Sequence, residues 1–254
     1  GTLKSFILKN YFSGYNEGGD FIKEDYVSIL IPDNNQCSPC LALRDNSTNE
    51  AKLFDMPFST DINNGESYIL REGDSQTFYF NFIDSSGNEL SKSLTLYGSF
   101  YYFDYQINTN SIEKGSFTRE IAWTKALRPT EKNEDYDVSE SGATIWQVDE
   151  HENISQTSVD RIYLETLDGR TDWVAIKSKY FIASLIPENK GIYGSFEAEN
   201  QFFGNRKITP GYKVYIGHHP NDKILSGKLY LGPQDVVEMR TTDSNLEEAI
   251  NWGW

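Results

Sequence analysis

Apolar and polar residues alternate along most of this chain with a period of two. Phe78, Phe80 and Phe82 show the alternation in one run, and Val214 and Ile216 repeat it farther along. Successive side chains of a strand point to opposite faces of a sheet, so this alternation predicts half-buried antiparallel strands. Turn-forming sequences such as SSGN and PND separate the runs at intervals typical of a β-sandwich. The pattern therefore predicts an all-β fold.

A helical pattern is present only near the C-terminus. Gly232 and Pro233 predict the start of a short helix, because proline suits the first helical turn. Ser244 and Glu247 have the spacing of a capping box, and apolar residues then recur at helical spacing. We therefore predict one or two short α-helices within residues 233–254.

The composition indicates a well-packed domain with an acidic surface. The chain has 254 residues, of which 38% are apolar, and it carries a net charge of −15. A negative field of this size repels phosphate backbones, so we expect no nucleic-acid partner. Residues 170–232 form the one basic segment. Lysines scattered over both strand faces explain it most simply, and a face toward anionic lipid or an acidic partner is the alternative.

The ends of the chain and its longest apolar run bear on its location. That run, residues 180–187, is far shorter than the roughly 20 residues that cross a bilayer. No charged segment followed by an apolar one opens the chain, so we expect no signal peptide in this sequence. The chain starts at once with a strand-like pattern and stops after NWGW, whereas natural termini are usually polar and loose. We therefore expect an excised domain.

Cys37 and Cys40 are the only cysteines. A zinc site would need two further ligands, and the three histidines are far away in sequence without ligand spacing. A redox-active pair would follow a strand at a helix start in a βαβ unit, which this sequence does not predict. We predict a small loop disulfide in an oxidising compartment and two free thiols otherwise.

His218 and His219 are the strongest candidates for acid–base chemistry. They precede a predicted turn, so solvated hairpin residues are the simpler interpretation. The chain contains no GxSxG, P-loop, GxGxxG or HExxH motif. We therefore predict no catalytic residue, no metal site and no cofactor, and a protein that is not an enzyme.

Five segments carry a family resemblance. They are residues 173–187 (WVAIKSKYFIASLIP), 228–233 (KLYLGP), 245–254 (NLEEAINWGW), 1–6 (GTLKSF) and 94–98 (LTLYG). In order and spacing these segments resemble the large periplasmic domain of the YidC membrane protein insertase family. The resemblance spans most of the chain and is strongest after residue 170. Cys37, Cys40 and the long polar loop at 128–142 are not features of the family pattern, and they suggest a divergent bacterial branch.

The resemblance implies a fold, a location and a role. The fold is a β-supersandwich similar to galactose mutarotase, formed by a single domain over residues 1–254. The parent is a multi-pass protein of the bacterial inner membrane that inserts and folds membrane proteins, alone or beside the Sec translocon. The domain is its periplasmic accessory part, with Sec components and nascent membrane-protein clients as partners. Residues 233–254 lead toward a transmembrane helix that is absent from this sequence.

The end of the chain is the predicted interaction site. Leu246, Ala249 and Ile250 form an apolar stripe that we expect to pack on the sandwich. Trp252 and Trp254 suit the headgroup level of a membrane, where an indole buries its ring and satisfies its N–H. The full set of predicted interaction residues is Gly232, Pro233, Val236, Val237, Leu246, Ala249, Ile250, Trp252 and Trp254.

Two other classes stay open. A mutarotase-like sugar epimerase would need a histidine and a glutamate that face each other in a concave sheet. A carbohydrate- or peptide-binding module would show an exposed aromatic platform in a groove. Fold likeness alone supports neither chemistry, because sites are grafted onto folds.

Overall fold

Strands make up most of the chain. The computed structural model describes residues 3–12, 26–30, 37–62, 65–112, 115–128, 130, 139–148, 151–154, 163–203 and 206–250. The strands are β1 (Ile7–Phe12), β2 (Tyr26–Ser28), β3 (Cys40–Asp45), β4 (Ala51–Leu53), β5 (Ser59–Thr60), β6 (Ser75–Ile83), β7 (Glu89–Tyr97), β8 (Tyr102–Asn108), β9 (Phe117–Trp123), β10 (Gly142–Gln147), β11 (His151–Ile154), β12 (Tyr163–Lys177), β13 (Phe181–Pro187), β14 (Gly191–Phe203), β15 (Arg206–Gly217) and β16 (Ile224–Pro233).

One large antiparallel sheet contains all of these strands except β1 and β2, which pair with each other. Its strand order is β4-β3-β9-β15-β14-β12-β13-β16-β8-β7-β6-β5, and β10 and β11 branch from β12. The long β12 pairs with β14 through its first half and with β10 and β13 through its second half. The all-β prediction is confirmed.

The sheet folds over so that its two halves enclose one core. Leu41 in β3 and Ile121 in β9 share a hydrophobic cluster with Leu94 in β7 and Phe103 in β8. In the sheet order, β15, β14, β12, β13 and β16 lie between β9 and β8. Contact across that separation requires the two halves to face each other, which is the arrangement of a β-sandwich.

The predicted alternation is present in β6. Phe78 pairs with Leu94 and Phe80 with Lys92, so both phenylalanines face the core side of the sheet. The following turn is held by Asp84, whose carboxylate accepts the backbone N–H groups of residues 86 and 88. Gly87 supplies the left-handed φ of 84° that this turn requires.

Helical structure follows β16, but it starts later than predicted. The helix α1 (Val236–Arg240) is followed by a 3₁₀ helix, Leu246–Ala249. The prediction that Gly232 and Pro233 open a helix is wrong, because Pro233 pairs with Phe181 as the last residue of β16. The strand continues to that point because β13 supplies a partner strand along its whole length.

The predicted capping box is also wrong. Ser244 Oγ lies 2.7 Å from Thr242 Oγ1 and caps no helix. Glu247 Oε1 instead accepts a hydrogen bond from Arg240 Nε at 3.0 Å. Asn245 is the residue before the 3₁₀ helix, with a left-handed φ of 57° and no side-chain cap. The C-terminus therefore has one short α-helix and one 3₁₀ turn.

Candidate interaction site on the C-terminal segment

The C-terminal segment (residues 234–250) turns away from β16 at a defined cap. Asp235 is extended, and its Oδ1 accepts the backbone N–H of Val237 at 2.9 Å and of Glu238 at 3.2 Å. A carboxylate in this position satisfies N–H groups that have no partner within the helix and complements the positive helix N-terminus. The sequence therefore fixes where α1 begins through Asp235, two residues after Pro233.

Apolar side chains of the C-terminal segment pack on the outer face of the sheet. Met239 and Leu246 are fully buried and Ala249 is nearly so. Burial of one leucine side chain contributes about 1.5–3 kcal/mol. Ile250 is half-buried at the margin of this cluster. The expected packing of the stripe on the sandwich is thus confirmed. On the sheet side the cluster consists of Trp173, Ala175, Ile182, Ile186 and Tyr230.

Two lysines of the sheet bind carbonyl groups of the C-terminal segment, one at the end of the 3₁₀ helix and one in the turn after α1. Lys177 Nζ donates to the Ala249 carbonyl at 3.1 Å, and Lys228 Nζ donates to the Thr242 carbonyl at 3.0 Å. The last carbonyls of a helix lack partners within it and carry partial negative charge, so the Lys177 ammonium stabilises the end of the 3₁₀ helix. Lys228 instead binds the turn two residues beyond Arg240, the last residue of α1. Burial lowers the pKa of Lys177, and Glu140 partly offsets that effect.

The remaining predicted interaction residues differ in exposure. Gly232 is buried in β16, Val236 is half-buried, and Val237 is 74% exposed. Trp252 and Trp254 lie outside the described residues. Val237 is therefore the one predicted residue whose side chain α1 presents largely to solvent within the described part of the segment.

Cys37 and Cys40 form a disulfide that closes a tight loop. This loop bonds to two distant parts of the sheet. Thr124, just after β9, donates its hydroxyl to the Cys37 carbonyl at 2.9 Å. Lys92 in β7 donates to the Pro39 carbonyl at 2.6 Å. The loop thus contacts both halves of the sandwich.

The histidines occupy two different environments. His219 is exposed, and its Nδ1 accepts the backbone N–H of Asn221, as expected for a hairpin residue. The prediction that His218 is solvated is wrong, because its side chain is only 1% exposed. Burial lowers the pKa of His218 to about 4, although the charge of Asp222 opposes the shift. Its backbone N–H donates to the Arg119 carbonyl of β9 at 2.9 Å, a contact that the turn sequence alone does not reveal.

Sequence reasoning missed several buried charges. Arg44 Nε donates to Glu120 Oε1 at 2.6 Å, with both side chains at most 5% exposed, and the Tyr193 hydroxyl donates to the same oxygen at 2.8 Å. Nothing in the sequence distinguishes these positions from a solvated face. The sequence does indicate the burial of Lys92, because Lys92 lies between Leu90 and Leu94 on the apolar face of β7.

The described residues form neither a metal-binding cluster nor a membrane-spanning helix. Among the described residues, no three histidine, cysteine, aspartate or glutamate side chains lie close enough together to hold a metal ion. Within those residues, too, no helix has the length and apolar character needed to cross a membrane.

Comparisons with known proteins identify relatives along the whole chain. It is 25% identical over 271 residues to the protein named membrane protein insertase YidC from Chloroherpeton thalassium. It is also 25% identical over 260 residues to the protein of that name from Prosthecochloris aestuarii. Both alignments cover 100% of this chain and 42% of the relative. The chain therefore spans less than half the length of these relatives.

A third relative, which matches a shorter part of the chain, and a family model both agree with these two relatives. A Chlorobium limicola protein, also named membrane protein insertase YidC, is 28% identical over 166 residues, which is 62% of this chain and 27% of the relative. The family model described as the YidC periplasmic domain matches residues 48–254. That range includes β4 through β16 and the whole C-terminal segment. The chain therefore belongs to the YidC periplasmic domain family.

Proposed function

We propose that this domain is the periplasmic accessory part of a YidC-type insertase, which inserts and folds membrane proteins alone or with the Sec translocon. The parent is then a multi-pass protein of the bacterial inner membrane, and the domain lies on its periplasmic side. Its partners are Sec components and nascent membrane-protein clients. It acts through protein contacts and not through catalysis, and it needs no cofactor.

The observation that supports this role most strongly is the packing of the C-terminal segment. Leu246 is fully buried, Lys177 binds the carbonyl at the end of the 3₁₀ helix, and Lys228 binds the Thr242 carbonyl in the turn after α1. In the proposal, residues 251–254 continue toward a transmembrane helix. A segment fixed to the sandwich at these two carbonyl groups would then set the angle between the domain and the bilayer, with Trp252 and Trp254 at headgroup level.

Val237 is the proposed point of contact with a partner protein. Its side chain is 74% exposed on α1, while the opposite side of that helix is buried through Met239. An apolar side chain on a short helix held firmly by its other face gives a partner a defined surface at small entropic cost.

Sugar epimerisation is not part of the proposal. A catalytic imidazole has to titrate near the working pH and reach its substrate. His218 is 1% exposed with a pKa lowered to about 4 by burial, and His219 lies in an exposed turn.

The test is an insertion assay in cells with the full-length parent. The double variant Leu246→Asp, Ile250→Asp should loosen the C-terminal segment, because a carboxylate cannot be buried among Trp173 and Tyr230 without a partner. We expect a several-fold decrease in the inserted fraction of a client protein, and a loss of about 2–5 kcal/mol in the stability of the isolated 254-residue chain.

Two further variants distinguish the packing of the C-terminal segment on the sheet from the proposed contact of Val237 with a partner protein. Glu248→Ala removes an exposed side chain of the same 3₁₀ helix and should leave both insertion and stability unchanged. Val237→Asp should leave stability unchanged and reduce insertion, because only the exposed contact is altered. Normal insertion by the double variant, despite a loosened segment, would refute the proposed role.

A further inference from the structure

A polar groove of about 590 Å³ lies on the outer face of β7, β8 and β16, beside the C-terminal segment. Its floor consists of two rows of hydrogen-bonding side chains that the strand register places side by side. Adjacent strands are about 4.8 Å apart, so each row presents polar groups at regular intervals across the sheet. The first row is Ser93, Gln106 and Ser226, and the second row is Thr95, Asp104 and Lys228.

The groove is bordered by a turn of the C-terminal segment. Asp243 and Ser244 line it, and Asp243 and Asn245 both adopt a left-handed backbone, with φ of 56° and 57°. Such conformations persist where surrounding contacts hold them, and they are concentrated at binding sites. Here Lys228 holds the turn through the Thr242 carbonyl at 3.0 Å.

Part of the hydrogen-bonding capacity of the groove is unused. Over the portion of the chain that the structure describes, the side chains of Ser93, Gln106 and Asp243 make no hydrogen bond. Asp104 uses one carboxylate oxygen to accept the Tyr97 hydroxyl at 2.5 Å. Donors and acceptors are therefore both available to a ligand.

The groove does not favour a charged ligand or a peptide strand. The lining holds two lysines, Lys190 and Lys228, and three carboxylates, those of Asp104, Glu188 and Asp243, so both signs of charge are present and an anionic ligand is not favoured. The strands of the floor are paired on both sides, β7 with β6 and β8, β8 with β7 and β16, and β16 with β8 and β13. An extended peptide therefore has no open backbone edge to join.

Aromatic rings continue the same face of the sheet. Tyr97 lies two residues after Thr95 in β7, and Tyr102 lies two residues before Asp104 in β8, so both are on the face of the groove floor. Phe100 stacks on Tyr102 with ring centroids 4.9 Å apart. Phe100 is 42% exposed. These rings lie outside the lining of the groove but adjoin it, because the Tyr97 hydroxyl bonds to Asp104 and Lys228 Nζ lies over the Tyr102 ring. Polar groups in fixed positions beside an aromatic surface are a combination that orients small polar ligands.

We propose that this groove binds a saccharide chain. A sugar ring has hydroxyl groups that both donate and accept hydrogen bonds, which match the mixed floor, and an apolar face of C–H groups that suits an aromatic ring. The ligand is uncharged, which suits a lining that carries both signs of charge. This inference concerns a different surface from Val237 and does not depend on the proposed role in insertion.

The test is a titration of the isotopically labelled 254-residue chain with maltotriose, cellotriose and N-acetylated chitotriose, followed by nuclear magnetic resonance. We expect saturable shifts of the floor residues and of residues 242–244 with at least one sugar at millimolar concentration. Gln106→Ala should weaken that binding roughly three- to tenfold, because one hydrogen bond is lost. Phe100→Ala should weaken it as well.

The control is Asn81→Ala, which removes an exposed amide from the outer face of β6 that does not line the groove. It should not change the affinity. The proposal is overturned if none of the three sugars gives saturable shifts in the groove. It is also overturned if Gln106→Ala and Asn81→Ala behave alike, or if the groove responds only to an added peptide. The assay requires no membrane insertion, so its outcome is independent of the insertion test.

Discussion

Lys92 is a charged residue whose environment comes from a distant part of the chain. It is 4% exposed on the inward face of β7, and its Nζ donates to the Pro39 carbonyl at 2.6 Å. Burial lowers the pKa of Lys92 to about 7, because a medium of low polarity disfavours the ammonium form. In the unfolded chain the pKa of a lysine is ~10.4.

This difference in pKa makes stability depend on pH. Between the two pKa values the unfolded chain holds a proton that the folded chain has released, so the contribution of Lys92 to stability rises with pH from about 7 toward ~10.4. Below about pH 7 both states are protonated, and the cost of burying the ammonium is greatest.

We predict that Lys92→Met changes the pH profile in a defined direction. The free energy of unfolding of the variant, minus that of the wild type, should be largest near neutral pH and should fall as the pH rises. Urea unfolding of both proteins at a series of pH values measures this difference. Lys223→Met, at an exposed position, should give a flat difference. A flat difference for Lys92→Met would contradict the assignment.

At the scale of elements, the C-terminal segment owes its structure to the sheet beneath it. The helix α1 has 5 residues and the 3₁₀ helix has 4. Isolated helices shorter than ~12–15 residues are marginal in water, so neither would persist alone. Burial of Met239 and Leu246, together with hydrogen bonds from Lys177 and Lys228, supplies the missing stability.

We predict that Lys177→Met releases the 3₁₀ helix before the sandwich unfolds. The variant loses a hydrogen bond from a charged donor, which contributes about 1–3 kcal/mol. Amide hydrogen exchange should become faster at residues 246–250, while the amides of β13 keep their protection. Lys223→Met serves as the control here too. Unchanged exchange at residues 246–250 would show that the Lys177 bond does not hold the segment.

At the scale of the whole molecule, the disulfide loop joins the two halves of the sandwich. The Cys37 carbonyl accepts the Thr124 hydroxyl beside β9, and the Pro39 carbonyl accepts the Lys92 ammonium of β7. The loop is short, so chain entropy alone gives a disulfide stabilisation of only ~2 kcal/mol. The disulfide also holds the Cys37 and Pro39 carbonyls in position for these two hydrogen bonds, which adds to its stabilisation of the fold.

We predict that a phosphine reductant lowers the thermal midpoint of the wild-type chain. The same reductant should have no effect on the double variant Cys37→Ser, Cys40→Ser, whose midpoint should already be low. In a Lys92→Met background the cysteine substitutions should destabilise the protein less, because the Pro39 carbonyl no longer has that partner. A double-mutant cycle measures this coupling. Additive effects would mean that the loop and Lys92 act independently.

The sequence by itself determined the class of fold and the family. Alternation is a local property of each strand, so residues 78, 80 and 82 could be placed on one face without knowledge of their partners. The apolar stripe at residues 246, 249 and 250 is likewise visible in the local sequence, and it predicted that the segment packs on the sandwich. The family could be recognised from the order of several short segments. A single domain over residues 1–254 stays a prediction.

Only the tertiary structure decided the features that depend on distant partners. Pro233 ends β16 instead of opening a helix because β13 lies beside it. His218 is buried beside β9, where its backbone N–H bonds to the Arg119 carbonyl, although the residues that follow it in sequence form an exposed turn. The groove beside the C-terminal segment exists because three strands align their polar residues in register. Burial and register arise between residues far apart in the chain, so a local pattern does not contain them.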